Sequence, residues 1–280
     1  MTLGLACEKA QGDWDDVKLT VTHEDVYSLA GTDSSHIALR EGEEVPLVDA
    51  LYATQMASAN DGANLLAEYF GGGTIADGVE KMNAKVKELG LAHTHFSNPH
   101  GISDDDHYTS CYDMAQILRW ALEQPGFETV FTRNEMYTMQ PTNIQPVTRY
   151  FSQQDKMRLH YSRYYIPAIL GSKIGYTNIA RYSYVCLAEQ NGVRLFAGAN
   201  GFFGKSLAAV VNARTPYKCL LAAYGKAKLA AYGIQNLQSL CHDLGPDAVA
   251  GQDSNMMVMF THVAESLVIL PSKVKKTPLP

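Results

Sequence analysis

The feature that most constrains the fold is a pair of apolar runs in the second half of the chain. The runs read YSYVCLAE and VRLFAGAN, and they flank Gln190, Asn191 and Gly192. Aromatic and β-branched residues favour strands, and an Asn-Gly pair between two such runs is typical of a tight β-hairpin. We therefore predict two antiparallel strands here, within a strand-like segment that begins at Lys173.

Helical patterns dominate the residues before this segment. The clearest helix lies between Thr74, a suitable cap, and Gly90, a stop signal, and has one apolar stripe: Ile75, Val79, Met82, Val86 and Leu89. Similar patterns predict a helical stub at the start of the chain and helices over residues 46–56, 61–70, 110–123 and from Pro216. We predict short strands or extended loops for residues 18–40, and no single element for the tyrosine-rich residues 127–165.

The pattern changes again near residue 232. Beyond it, short apolar runs such as MMVMF and LVIL alternate with turn residues, which is typical of strands. We place a domain boundary there, with an α+β domain over residues 1–232 and the beginning of a β-rich domain over residues 233–280.

Composition excludes several functional classes. The formal net charge is −6 and no basic stripe occurs, which argues against a nucleic-acid partner. The five cysteines are scattered without a C-x-x-C pair, so neither a zinc knuckle nor a disulfide framework is indicated. No apolar run approaches the roughly 20 residues that span a bilayer, and the first residues do not form a signal peptide. We expect membrane association only through segments missing from this chain.

Two short motifs carry chemistry. Ser58 and Asn60 form an S-x-N triplet, and Lys173 and Gly175 form a K-x-G triplet. These are two of the three motifs of penicillin-recognising serine enzymes. Each motif alone is weak, because Ser58 and Asn60 could equally cap a helix that starts at Asp61, and Lys173 could be an exposed strand lysine.

Longer stretches around these motifs make the assignment more specific. They occur in the order EGEEVPLVDALYATQMASANDGANLLAEYFGG, VEKMNAKVKELGLAHTHFSNPHGI, YTSCYDMAQILRWAL and GSKIGYTNIA. With them, residues 1–232 closely resemble the D-alanyl-D-alanine carboxypeptidases, which are low-molecular-mass penicillin-binding proteins, and the ending resembles the start of their β-rich C-terminal domain. The resemblance implies an α+β penicillin-binding/β-lactamase-like transpeptidase fold, in which helices pack on an antiparallel sheet.

The resemblance also implies a reaction. Family members cleave between two D-alanines of a peptidoglycan stem peptide through a serine ester, outside the cytoplasmic membrane and without a metal or organic cofactor, and β-lactams inhibit them. By the matching motifs, Ser58 relays a proton to the leaving amine, Asn60 bonds the substrate amide, and Lys173 holds Ser58 and supplies positive charge. The substrate-binding positions are Ile174, Gly175, which lets substrate lie close to the strand, and Tyr176, whose backbone N–H is an oxyanion donor.

One motif of the family is missing. The S-x-x-K motif holds the nucleophile and its base, and it precedes an apolar residue and Met-Thr in the family. Since this chain starts with Met1 and Thr2, we expect a truncated chain whose nucleophile and export signal lie before Met1. The S-x-x-K at Ser272–Lys275 lies in a polar tail and is rejected as a nucleophile. Loss of N-terminal strands predicts an unpaired sheet edge and poor solubility or dimerisation.

Two positions depart from the family pattern. Ile174 stands where the family usually has threonine or serine, whose hydroxyl binds the substrate carboxylate. A hydrogen bond to a charged group contributes about 1.5–3 kcal/mol, so its loss predicts about 10- to 150-fold weaker substrate handling. Arg181 stands where glycine is common, and we expect its bulk to alter access to the strand.

Two other functions compete with peptidase activity. One is a catalytically inactive binder of peptidoglycan peptides or β-lactams, since S-x-N and K-x-G cannot form an ester without a nucleophile. The other is a metal site in the segment HTHFSNPHGISDDDH, where aspartates accompany four histidines: His93, His95, His100 and His107.

Overall fold

The computed structural model describes residues 1–32, 34–190, 193–202 and 269–271. Helices come first and the main sheet follows, so the predicted α+β class is confirmed. The helices are α1 (Thr2–Ala10), α2 (His23–Tyr27), α3 (Leu47–Tyr52), α4 (Asn60–Gly71), α5 (Ile75–Glu88), α6 (Cys111–Ala121) and α7 (Phe127–Thr132). The strands are β1 (Lys18–Thr20), β2 (Glu44–Pro46), β3 (Tyr137–Met139), β4 (Arg149–Phe151), β5 (Ile169–Thr177), β6 (Arg181–Gln190), β7 (Val193–Phe202) and β8 (Ile269–Pro271).

The main sheet is antiparallel with the strand order β5-β6-β7-β8. Strands β6 and β7 form the predicted hairpin, with Gln190 opposite Val193; the turn residues Asn191 and Gly192 lie outside the described residues. Strand β5 has a single neighbour among the described strands, so its other edge has no strand partner within the described part of the chain. At the opposite side, β8 pairs with only three residues of β7, from Leu195 to Ala197.

The helical body packs around α4, which is buried along most of its length. Its partner α5 has the predicted cap, since Thr74 Oγ1 accepts from the Asp77 N–H at 3.0 Å. The two helices approach closely because glycines face each other: a Cβ added to Gly78 would lie 2.5 Å from the Ala67 carbonyl oxygen, and one added to Gly71 would lie 2.6 Å from the Gly78 nitrogen. The C-terminal part of α4 therefore packs directly against α5.

Three local predictions were wrong or incomplete. Residues 18–40 contain helix α2, whose capping box of Thr22 and Asp25 is a readable signal that the strand-like prediction overlooked. Residues 127–165 contain α7 and the β3–β4 hairpin, which are too short to show a periodicity. The helix predicted over residues 46–56 changes to a π-helical turn at Ala53–Ala57.

Other predictions lie outside the described residues. They are the helix from Pro216, the boundary near residue 232 and the strand MMVMF, while LVIL contributes Ile269 and Leu270 to β8. The domain boundary and the expected poor solubility therefore stay predictions.

A buried ion pair connects the first part of the chain to the β3–β4 hairpin. Glu43 is fully buried, and its carboxylate accepts from Arg149 Nη2 at 2.5 Å, Thr142 Oγ1 at 2.8 Å and Gln145 Nε2 at 2.9 Å. Burial alone raises the pKa of Glu43, but the hydrogen bonds from Arg149, Gln145 and Thr142 outweigh it and hold the pKa below 4.5. The carboxylate is therefore stabilised in its charged form.

We expect Glu43→Gln to lower the free energy of unfolding by about 3 kcal/mol, because it leaves the Arg149 guanidinium without its buried partner. Urea denaturation at neutral pH measures this loss, and Glu44→Gln, an exposed neighbour, is the matched control. The folded-state pKa is the lower one, so the stabilisation is present above the ordinary pKa of glutamate and disappears as the pH falls through the folded value. Equal stability of the two variants contradicts this role of Glu43.

Candidate active site

The segment that presents Ser58 has an unusual backbone. Helix α3 passes into the π-helical turn Ala53–Ala57, and Ser58 follows with φ 54° and ψ 38°, in the left-handed region. Helix α4 then begins at Asn60, and its N-cap is Ala59, without a side-chain hydrogen bond. The interpretation of Ser58 and Asn60 as capping residues is therefore wrong.

The Ser58 hydroxyl instead faces the strand β5. Lys173 Nζ lies 2.9 Å from Ser58 Oγ and donates to the Ile174 carbonyl at 2.7 Å. Residues 115 positions apart in the sequence thus meet across the junction of the helical body and the sheet.

Burial changes the ionisation of this lysine. It lowers the pKa of Lys173 from 10.5 to about 8, because the ammonium loses contact with water. At pH 7 roughly one lysine in ten is neutral, so Lys173 can exchange a proton with a neighbouring hydroxyl and still carry positive charge most of the time.

These groups line one cavity between the π-helical turn, β5 and the loop that follows β4. The lining residues are Gln55, Met56, Ser58, Gln153, Gln154, Asp155, Ser172, Lys173 and Ile174. Lys173 and Asp155 are the charged side chains among them. A cavity with one cation, one carboxylate, two hydroxyls and several amides suits a polar ligand better than an apolar one.

The sequence analysis did not identify Asp155. This buried carboxylate accepts from Ser172 Oγ at 2.5 Å, from Tyr184 Oη at 3.0 Å and from the Met157 N–H at 2.9 Å. It joins the loop to β5 and β6, next to Lys173. No sequence signal could have found it, because it lies in the irregular region, outside any periodic pattern or motif.

Of the other predicted site residues, one lines the cavity and three do not. Ile174 lines it, whereas Asn60, Gly175 and Tyr176 are not among the lining residues. Asn60 is buried at the first position of α4. Tyr176 is 52% exposed and lies 4.6 Å from Tyr182, ring centre to ring centre.

Gly175 has space around it. A Cβ added there would meet nothing in the described chain closer than Ser183 Cβ, at 4.0 Å. The protein's own packing, in the described part of the chain, therefore does not require glycine at this position.

Arg181 also has a left-handed backbone, with φ 61°, at the start of β6. This is the region that glycine adopts at least cost, so the geometry explains why glycine is common at this place in the family. The effect of Arg181 on access to the strand stays a prediction.

The histidine-rich loop is held by its own hydrogen bonds. His95 Nδ1 contacts the Asp106 carbonyl at 2.6 Å, and the Nδ1 atoms of His100 and His107 accept backbone N–H groups at 3.2 Å. Burial, followed by the charge of His107, lowers the pKa of His100 to about 4. Within the part of the chain that the structure describes, no group of three potential metal ligands forms, so nothing there supports the metal-site alternative.

The same loop reaches the sheet. Ser103 Oγ lies 2.6 Å from Thr177 Oγ1, at the last residue of β5. The loop therefore lies beside the far end of the strand that carries Lys173.

The sequence of this chain matches the model of a known protein family. The model of the peptidase S11 family, the D-alanyl-D-alanine carboxypeptidases, matches residues 1–199, which is more than half of the chain. The chain belongs to this family. The resemblance inferred from the S-x-N and K-x-G motifs and their surroundings is thereby confirmed.

This carboxypeptidase family member is similar to named proteins of several bacteria. The chain is 34% identical over 176 residues to the D-alanyl-D-alanine carboxypeptidase DacF of Bacillus subtilis, covering 63% of this chain and 42% of the relative. It is 30% identical over 164 residues to DacB2 of Mycobacterium tuberculosis, covering 57% of this chain and 52% of the relative. The chain thus matches about half, or less, of the length of each.

Solved structures show the same fold. The DD-transpeptidase of Streptomyces K15 superimposes with a TM-score of 0.65 at 22% identity, covering 81% of this chain and 85% of that one. A D-alanyl-D-alanine carboxypeptidase from Mycobacterium tuberculosis gives a TM-score of 0.60 at 24% identity, covering 73% of this chain and 74% of that one. The predicted transpeptidase fold is confirmed.

Among the described helices of this family member, none is long and apolar enough to cross a membrane.

Proposed function

We propose that this protein is a serine-type D-alanyl-D-alanine carboxypeptidase that acts on peptidoglycan stem peptides through an acyl-enzyme. The observation that carries the proposal is the contact of 2.9 Å between Lys173 Nζ and Ser58 Oγ in a cavity beside the open edge of β5. Family membership supports the same reaction.

The substrate binds as an extra strand. An extended peptide that adds to the open edge of β5 makes backbone hydrogen bonds there, and the absence of a side chain at Gly175 lets it lie close. Its terminal carboxylate meets the Lys173 ammonium, and the Tyr176 N–H donates to the carbonyl oxygen that becomes negative.

The chemistry needs a serine hydroxyl that attacks the carbonyl carbon between the two D-alanines. The peptide C–N bond breaks, a proton passes through Ser58 to the leaving amine, and water then hydrolyses the ester. Lys173 stabilises negative charge and keeps Ser58 oriented. No S-x-x-K tetrapeptide occurs in the described residues, and our expectation that the attacking serine precedes Met1 stays a prediction.

Peptidoglycan lies outside the cytoplasmic membrane, so the protein acts in the cell envelope. β-Lactams imitate the D-alanyl-D-alanine end and are its inhibitors. No nucleic acid, metal or organic cofactor takes part.

A second candidate function is reversible binding of stem peptides or β-lactams without turnover. It is favoured by Ile174, which stands where the family usually has a hydroxyl that binds the substrate carboxylate.

Incubation with a fluorescent penicillin separates the two candidates. We expect the 280-residue chain to bind the penicillin reversibly, as a rise in fluorescence anisotropy, with no increase in intact mass. A form extended at its N-terminus by the codons that precede Met1, if they encode S-x-x-K in frame, is expected to gain the mass of one acyl group.

Each outcome decides between the candidates. Absence of binding by both forms would overturn both. Reversible binding without an adduct in the extended form supports the binder. An adduct on the 280-residue chain refutes our expectation about the nucleophile, and peptide mapping then identifies the acylated serine.

A further inference from the structure

The residues just before Ser58 carry several features that are unfavourable for folding. A π-helical turn is a rare conformation, and Ser58 has a positive φ. Two buried side-chain atoms of this turn, Thr54 Oγ1 and Gln55 Oε1, lack a hydrogen-bond partner in the described part of the structure. Such costs, concentrated in five residues beside a candidate site, are typical of a functional constraint.

One strong contact fixes this turn in place. The Gln55 side chain is buried, and its Nε2 donates to the Ser172 carbonyl at 2.8 Å. Ser172 immediately precedes Lys173, and Gln55 lies shortly before Ser58. A single amide thus joins the two chain segments that present the contacting side chains.

Ser172 is held from a second direction. Asp155 accepts from its hydroxyl at 2.5 Å, and the Asp155 carboxylate is itself fixed by Tyr184 Oη and the Met157 N–H. The carbonyl and the hydroxyl of Ser172 are therefore bound by two different elements, the π-helical turn and the loop after β4. This leaves the backbone of Lys173 little freedom to move along the strand.

We propose that Gln55 is a positioning residue that holds the π-helical turn against β5, so that Ser58 Oγ and Lys173 Nζ stay at hydrogen-bond distance. Within the described part of the chain, the Gln55 side chain makes no hydrogen bond to Ser58 or Lys173, and it acts through Ser172. The part of this inference that concerns catalysis rests on the proposed function, whereas the part that concerns geometry does not.

The chemistry explains why the residue is glutamine. An amide N–H is needed because the partner is a carbonyl oxygen, which accepts hydrogen bonds and does not donate them. Methionine has a similar length and no donor, and glutamate places an acceptor against the carbonyl. Gln55→Met therefore removes the hydrogen bond with little change in volume.

The first measurement is the titration of Lys173, followed through its Cε resonance in the lysine-labelled 280-residue chain. The Lys173→Arg variant assigns the signal by its disappearance. We expect Gln55→Met to raise the pKa of Lys173 from about 8 towards 10.5, because the loosened contact admits water to Nζ. Asp155, the other charged group lining the cavity, keeps its own hydrogen bonds in this variant.

The second measurement is turnover of a D-alanyl-D-alanine peptide by the form that is extended at its N-terminus by the codons preceding Met1. We expect Gln55→Met to lower kcat about 10- to 100-fold with KM changed less than about twofold, because misplacement of reacting groups affects the transition state more than binding.

Gln145→Met is the matched control. Gln145 is also a buried glutamine, and it does not line the cavity. Its Nε2 donates to the Ala38 carbonyl and to Glu43 Oε2. We expect this control to lower thermal stability without moving the pKa of Lys173 or kcat.

The outcomes test the positioning role of Gln55 and the proposed peptidase function separately. An unchanged Lys173 titration in Gln55→Met, or the same change in Gln145→Met, overturns the positioning role. If no form of the protein turns over peptide, the proposed function fails, but the titration still decides the role of Gln55. Should Gln55→Met fail to fold, Gln55→Glu is titrated instead and is expected to raise the pKa of Lys173 further, because it adds negative charge.

Discussion

Replacing Lys173 by methionine is expected to lower kcat/KM for a D-alanyl-D-alanine peptide by about 10³-fold in the catalytically competent protein. The variant loses the partner of Ser58 Oγ and the positive charge in the cavity, and groups in these two roles each typically contribute about 10²-fold or more. The decrease in covalent labelling by fluorescent penicillin measures the same loss at the acylation step.

The same variant is expected to be more stable than the unchanged protein. Because burial lowers the folded-state pKa of Lys173 to about 8, below its ordinary 10.5, keeping the ammonium in the folded protein at pH 7 costs about 1–3 kcal/mol. The sign follows from linkage: this penalty is full below pH 8 and disappears as the pH rises towards 10.5. Denaturation at pH 7 should therefore show a gain in stability together with the loss of activity.

Lys156→Met is the control for both effects, since Lys156 is an exposed lysine in the neighbouring loop. It should change neither activity nor stability appreciably. A Lys173→Met protein that is inactive and also much less stable would point to a structural role instead of a chemical one.

Replacing Ile174 by threonine is expected to increase kcat/KM by about 10- to 150-fold. Ile174 lines the cavity beside Ser58 and Lys173, and the substitution adds a hydroxyl that can donate to the substrate carboxylate, a bond that contributes about 1.5–3 kcal/mol. Threonine keeps the β-branch, so the strand geometry of β5 should persist.

Two comparisons test whether the threonine hydroxyl itself causes the gain in kcat/KM. Ile174→Val has nearly the shape of the threonine variant without the oxygen and should show no gain. A substrate whose terminal carboxylate is amidated should gain little from Ile174→Thr, since the charged acceptor is gone. If valine and threonine variants behave alike, or if the amidated substrate gains equally, the hydroxyl does not bind the carboxylate.

Local patterns were sufficient for much of the fold. Helix α5 has a regular apolar stripe from Ile75 to Leu89, and the hairpin strands are apolar runs on either side of Asn191 and Gly192. Each pattern lies within one short stretch of sequence, so each element can be predicted without knowledge of its neighbours in space. The short elements α7, β3 and β4 could not be read in this way, because each is too short to show a periodicity.

In the candidate site, too, some features could be predicted from local sequence and others could not. The sequence by itself determined the residue types of the S-x-N and K-x-G motifs, the family they indicate and the unusual Ile174. Only the tertiary structure decided that Ser58 meets Lys173, that Gln55 and Asp155 hold Ser172 between them, and that a π-helical turn leads into Ser58. The contacts Ser58–Lys173 and Gln55–Ser172 join segments more than 100 residues apart, and the contact Asp155–Ser172 starts from an irregular loop. The π-helical turn departs from the regular α-helical period. The physical reason is that none of these features leaves a local periodicity in the chain.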